Sequence, residues 1–200
     1  MGPADRVLTP KGAATRRRIV EGAAAQIRRR GLASTTLDDI VAATSTSKGQ
    51  LFHYFPDGRE QLLLAVAEHE ADQVIADQEP HLSRLASWAD WEAWRSAVVE
   101  RYRAQGVHCP LGVLLTELRG SSPGAMLVTE QLLRRWQQSL EAGITGMRQA
   151  GLMPYDIVPG DVAATLIAAI QGGVVILLST GEIGHLEKAL VTILGLLRSA

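Results

Sequence analysis

The chain has 200 residues, 46% of them hydrophobic and 20% charged, a balance that excludes disorder over most of its length and leaves apolar mass for a sizeable core. The formal net charge is −1, yet residues 1–67 hold ten Lys/Arg against six acids and the remainder ten against fifteen, so one end is suited to face phosphates. The one cysteine, Cys109, excludes an intrachain disulfide and fits a reducing cytoplasm, and the first residues lack the apolar core of a signal peptide.

Alanine, leucine and arginine are abundant and β-branched runs are scarce, so the expectation is an all-helical chain. A polar arm over about 1–12 leads into a helix over about 13–30, with Ile19, Val20, Ala23, Ala24 and Ile27 at helical spacing and Gly31 as its stop. Thr35 or Thr36 can cap a short helix over 37–44, with Asp38 and Asp39 in its first turn, where the helix dipole favours acids. Leu37, Ile40, Val41 and Thr44 share one face of it. After the polar break at 44–47, Ser47-Lys48-Gly49-Gln50 has the form of a capping box and opens a helix to about Tyr54, which Pro56 stops. Asp57-Gly58-Arg59-Glu60 has the same form and opens a long helix to roughly Gln78, with Leu62, Leu63, Val66 and Ala67 inward.

Beyond Pro80 the spacing predicts helices over 91–104, 111–119, 123–150, 161–179 and 183–199. Ser122-Pro123 supplies a cap and a first-turn proline, and loops lie at 106–110 and 151–160. The most apolar run, 162–178, contains Gln171 and paired glycines and lies at the lower edge of what crosses a bilayer, so a buried helix is expected rather than a membrane span.

Two short helices joined by a tight polar turn and braced by a longer helix form a helix-turn-helix pattern. The second helix must expose small or hydrogen-bonding groups near its start, and Lys48, Gly49 and Gln50 stand there. Lysine can donate to guanine O6/N7, glutamine can pair with adenine, and glycine permits close backbone approach. Each residue also has a plainer reading: Gln50 as half of the capping box, Lys48 as a solvated charge, and Thr36 as a cap. Leu51, Phe52 and Phe55 read as core. Arg16, Arg17 and Arg18 suit either solvent or phosphate, whereas Arg28, Arg29 and Arg30 suit the C-terminal end of their helix dipole.

The stretches Thr35-Thr36-Leu37-Asp38-Asp39-Ile40-Val41 and Ser47-Lys48-Gly49-Gln50-Leu51-Phe52-His53-Tyr54-Phe55-Pro56 resemble the DNA-binding signature of the TetR family of repressors. The resemblance covers about 15–66. It implies an all-α chain with a three-helix helix-turn-helix domain at 1–57, and a helical effector-binding and dimerisation domain at 58–200. It places Lys48, Gly49 and Gln50 at base-contacting positions and Thr36, Ser47 and Tyr54 at phosphate-contacting ones. His53 joins this candidate DNA-binding set, and so does Arg59, where the family usually has a phosphate-binding lysine. Three departures stand out: Ser45 replaces a turn glycine, Thr46 replaces an apolar residue and Phe52 replaces a tyrosine. Cys109-Pro110-Leu111-Gly112 with Glu117-Leu118, and the longer turn from Phe55 to Glu60, are similar to the LmrA/YxaF-like subgroup.

The implied function is a transcriptional regulator, most simply a repressor released from a palindromic double-stranded DNA operator by a small, largely apolar ligand, and not an enzyme. Neither a phosphate loop nor a nucleophile elbow is present, and Cys109 and the five histidines do not sit at metal spacings, so neither metal nor cofactor is expected. Candidate pocket residues are Trp88, Trp91, Trp94, Tyr102, His108, Met126 and Trp136, with ordinary core as the alternative. Cys109 reads either as a redox sensor or as a buried thiol. The last two helices are apolar on more than one face. Ile170, Val174 and Leu177, with Leu186, Leu190, Ile193, Leu194 and Leu197, are the candidate seam of a homodimer built as a two-fold four-helix interface. The competing readings are an enzyme, which lacks a motif, and a membrane-surface or scaffold protein using the apolar C-terminal pair. The implied location is the cytoplasm, with no membrane partner.

Overall fold

The computed structural model describes residues 8–106 and 123–199, and among these every regular element is helical. The expected helix at 111–119, together with His108, Cys109 and Ser122, lies outside the described residues. Two compact units divide the chain, residues 1–70 and 71–200.

The first unit begins with α1 (Pro10–Arg30), α2 (Leu37–Thr44) and α3 (Lys48–Tyr54) and ends within α4 (Arg59–Ala76). Helix α1 starts earlier than the spacing predicts. The Thr9 hydroxyl accepts from the Gly12 N–H at 3.2 Å and Pro10 supplies a first-turn φ, so residues 10–12 are helix rather than arm. Ile19, Val20, Ala23, Ala24 and Ile27 form its buried stripe, and Gly31 (φ 79°) ends it. Helix α2 crosses α1 closely: a Cβ at Gly22 would lie 2.2 Å from Thr44 Cγ2, so only glycine admits the crossing.

Helix α4 starts later than expected. The Asp57 N–H donates to Gln61 Oε1 at 3.2 Å instead of forming a box with Glu60, and Gly58 (φ 68°) turns the chain into the helix. The unit boundary accordingly falls inside α4, past residue 57. Leu62, Leu63, Val66 and Ala67 are buried, and the nearly inaccessible carboxylate of Glu70 pairs with Arg28.

The second unit contains the end of α4, a 3-10 turn (Leu82–Arg84), α5 (Trp88–Gln105), α6 (Pro123–Gln149), α7 (Pro159–Thr180) and α8 (Gly184–Ser199). Pro159, expected in a loop, occupies the first turn of α7. Helix α7 packs on α6 and α8, α5 packs on α8, and α6 meets the 3-10 turn. Glycine sets two of these approaches. A Cβ at Gly143 would fall 2.6 Å from Leu85 Cβ, and one at Gly173 would fall 2.8 Å from the Leu186 Cα. Helix α7 is long and apolar enough to cross a membrane by composition, yet Ala163, Leu166, Ile167, Ile170, Val174 and Leu177 are buried in the unit's own core.

Candidate nucleic-acid interface

Helix α3 is held at its start by its own residues. Ser47 Oγ accepts from the Gln50 N–H at 3.1 Å, and Gln50 Oε1 accepts from the Ser47 N–H at 3.1 Å, closing the capping box that the spacing predicts. Helix α2 is held in the same way. Thr36 Oγ1 accepts from the Asp39 N–H at 3.1 Å, and Asp39 Oδ2 accepts from the Thr36 N–H at 2.9 Å and its hydroxyl at 2.6 Å. These bonds, with Arg30 donating to Oδ1 at 2.5 Å, lower the Asp39 pKa from its ordinary 3.8 to about 2.

The turn between them accommodates both departures from the family pattern. Ser45 adopts a left-handed conformation (φ 50°, ψ 42°), the geometry for which glycine is the unstrained choice. Thr46 is buried, but its hydroxyl meets the Thr44 hydroxyl at 2.7 Å, and Thr44 Oγ1 donates to the Ile40 carbonyl at 2.7 Å. A polar residue therefore sits in an apolar position with its hydrogen bond made.

Lys48, Gly49, Gln50 and His53 are exposed on α3, as are Thr36 and Ser47 at the two caps, whereas Tyr54 is half-buried. The His53 and Tyr54 rings meet edge to face at 4.9 Å. A Cβ at Gly49 would meet only Ser47 Oγ, at 3.8 Å, so the fold itself does not require glycine there. Gln50 takes the capping role: its carbonyl oxygen accepts from the Ser47 N–H, which engages one of its two lone pairs and leaves the amide N–H groups free of the cap. Lys48 Nζ lies 2.9 Å from Asp38 Oδ1.

Two expectations are corrected. Arg59 donates through Nη1 to the Thr35 carbonyl at 2.5 Å and through Nη2 to the Leu32 carbonyl at 2.9 Å, so it braces the α1–α2 loop rather than standing free for phosphate. Phe52 is 47% exposed, not core; with Leu37, Val41 and Leu51 it lines an apolar recess of about 100 Å³ between α2 and α3, flanked by Asp38 and Lys48. Leu51 and Phe55 are core, and the Arg16 guanidinium lies 5.2 Å from the Phe55 ring centre. The residue that the spacing missed is Asp38, whose only sequence signal was its place in a helix first turn.

Residues 19–66, which span most of this unit, match the family described as bacterial regulatory proteins, tetR family. The likeness falls on the helix-turn-helix segment, about a quarter of the chain. The chain is 27% identical over 182 residues to a helix-turn-helix transcriptional regulator of Lactococcus lactis subsp. lactis from the lacX 3′ region, covering 87% of this chain and 88% of that one. A Mycobacterium tuberculosis (strain ATCC 25618 / H37Rv) helix-turn-helix regulator is 30% identical over 118 residues, which is 58% of this chain and 52% of its relative. Among solved structures the fold is shared with a TetR transcription regulator from Haloarcula marismortui (TM-score 0.79, 17% identity, 94% of this chain and 98% of that one). It is shared also with a TetR-family regulator from Cytophaga hutchinsonii (TM-score 0.77, 20% identity, 97% and 98%).

In the second unit, Trp91, Trp94 and Trp136 are fully buried, Tyr102 is buried, and Trp88 is half-buried under the Arg198 guanidinium at 6.0 Å. Trp91 and Trp94 meet edge to face at 5.5 Å. Trp94 Nε1 donates to Gln78 Oε1 at 2.7 Å, whereas the indole N–H groups of Trp91 and Trp136 find no acceptor among the described residues. Met126 is 63% exposed and does not belong to this interior group. The expected dimer seam also needs correction. Ile170, Val174, Leu177, Leu186, Leu190 and Leu194 are buried within the chain itself, because α7 and α8 pack their strongest apolar stripes on their own neighbours. Ile193 and Leu197 are half-buried. The apolar residues that the same two helices leave outside are Val175 (61% exposed), Val191 (53%) and Leu196 (65%).

Proposed function

We propose that the chain is a repressor that grips a palindromic double-stranded DNA operator as a homodimer and leaves it when a small, largely apolar ligand binds. The observation that carries this reading is the first turn of α3. It exposes Lys48, Gly49 and Gln50, is held rigid by its capping box, and has at Gly49 a missing side chain that the fold does not ask for. A glycine inside a helix costs about 1 kcal/mol relative to alanine. Close approach of a groove to the backbone gives that cost a reason. In this reading Lys48, Gly49 and Gln50 meet base edges, His53 and Phe52 flank them, and Thr36, Ser47 and Tyr54 face phosphates.

We assign reading to residues 1–57 and effector binding and dimerisation to residues 58–200. The orphan indole donors of Trp91 and Trp136 support a ligand that brings hydrogen-bond acceptors into an apolar setting. Two subunits pairing through the outer faces of α7 and α8 would cover Val175, Val191 and Leu196. The proposed family is that of the TetR regulators, within their LmrA/YxaF-like subgroup, and the proposed location is the cytoplasm.

Selection of bound duplexes from a random pool by the full chain tests the reading. A two-fold symmetric motif is expected, with half-sites whose centres lie one or more helical turns apart, each about 34–36 Å. Gly49→Ala is expected to keep or raise the melting temperature while weakening binding to that motif by tenfold or more, and enrichment of no motif would refute the proposal.

A further inference from the structure

Asp38 lies in the first turn of α2, where the helix dipole favours its charge, but the side-chain cap of that helix is made by Thr36 and Asp39. The Asp38 carboxylate instead reaches across to the first turn of α3, where Oδ1 stands 2.9 Å from Lys48 Nζ. Both side chains are about two-thirds exposed (69% and 67%), and together they edge the apolar recess lined by Leu37, Val41, Leu51 and Phe52. The lysine placed to read a base is thus held by an anion of its own subunit.

We propose that Asp38 is a specificity-determining residue that acts through Lys48, an inference that rests on the reading-head assignment above. An ammonium has three N–H donors. It can keep one on Asp38 and turn the others to guanine O6 and N7, so the pair survives a matching base edge. A phosphate, unlike a neutral base edge, carries a full negative charge, so Lys48 meets it either beside the like charge of Asp38 or by exchanging one anion for another. That exchange gains little, and the carboxylate also repels the phosphate. Asp38 therefore withholds from arbitrary DNA a cation that the matching sequence can use.

The test measures binding of the full chain to the motif duplex from the selection and to a scrambled duplex of equal length and composition, across a salt series. Wild type is compared with Asp38→Asn, Lys48→Ala and the double variant, with melting curves confirming that each is folded. For Asp38→Asn, affinity for the scrambled duplex is expected to rise about three- to tenfold at low salt. Its salt slope is expected to steepen by about 0.9 for each subunit, the value of one added phosphate contact. Affinity for the motif is expected to change less, so the ratio of the two falls. In the Lys48→Ala background Asp38→Asn is expected to leave that ratio unchanged. An unaltered ratio and slope in Asp38→Asn, or the same effect with and without Lys48, would overturn the role of Asp38 while leaving the reading head standing. A wild-type chain that does not distinguish the two duplexes would overturn the reading head itself, and this inference with it.

Discussion

The two units differ in how fully the buried polar groups of their described residues are paired. In the first, Gln26 accepts from Arg29, Thr35 donates to the Gly31 carbonyl, Thr44 and Thr46 bond each other, and Glu70 meets Arg28. In the second, the indole N–H groups of Trp91 and Trp136, Arg101 Nε and Gln105 Oε1 have no partner among the described residues. Buried polar groups normally find partners, and a group left unpaired costs about 1–3 kcal/mol. Among the described residues the first unit pairs its buried polar side chains internally, as the proposed reading head requires. In the second, the interior donors and acceptor left over are what the proposed effector would satisfy.

The contrast is broken most forcefully in the second unit by charge. Leu190→Glu places a carboxylate in the subunit's own core and is expected to cost at least about 3 kcal/mol and to unfold that unit, with loss of helical circular dichroism. Val175→Glu with Val191→Glu puts charges on the outer face instead. It is expected to keep the helical signal and halve the mass measured by sedimentation. Equal behaviour of the two would show that the outer face is not the seam.

Next come the close helix crossings, one from each unit. Gly173→Ala and Gly22→Ala are each expected to destabilise by about 1–3 kcal/mol in urea unfolding, with Gly173 the larger because its Cβ would meet backbone and not only a methyl group.

The completeness of the first unit is tested at the turn. Thr44→Val strands the Thr46 hydroxyl and is expected to cost about 1–2 kcal/mol, whereas Thr44→Val with Thr46→Val removes both polar groups and should recover most of the loss. Ser45→Gly should gain about 1 kcal/mol by relieving the left-handed conformation.

The smallest effect is set by pH. The folded-state pKa of Asp39 is depressed, first by its bonds to Thr36, so its contribution is present above the ordinary value of 3.8 and lost as the pH falls through about 2. The difference in unfolding midpoint between wild type and Asp39→Asn should be full above pH 4 and close toward pH 2. A constant difference would contradict the capping role of the ionised carboxylate.

Much of the reading head was legible because its signals are local. Capping boxes span three residues, a helix stop needs one glycine, and an apolar stripe repeats within a turn, so the sequence itself determined α2, α3 and the exposure of the first turn of α3. The family signature depends on the same short spacings. Contacts between distant positions were decided only by the tertiary structure. Arg59 was drawn to the carbonyls of Leu32 and Thr35, Lys48 met Asp38, and Ser45 accepted an unfavourable backbone angle because the turn between fixed helices required it. The same holds for α7 and α8, where composition shows that apolar faces exist but not which face a neighbouring helix takes. Burial is a property of the packed neighbours, and those are tens of residues away along the chain.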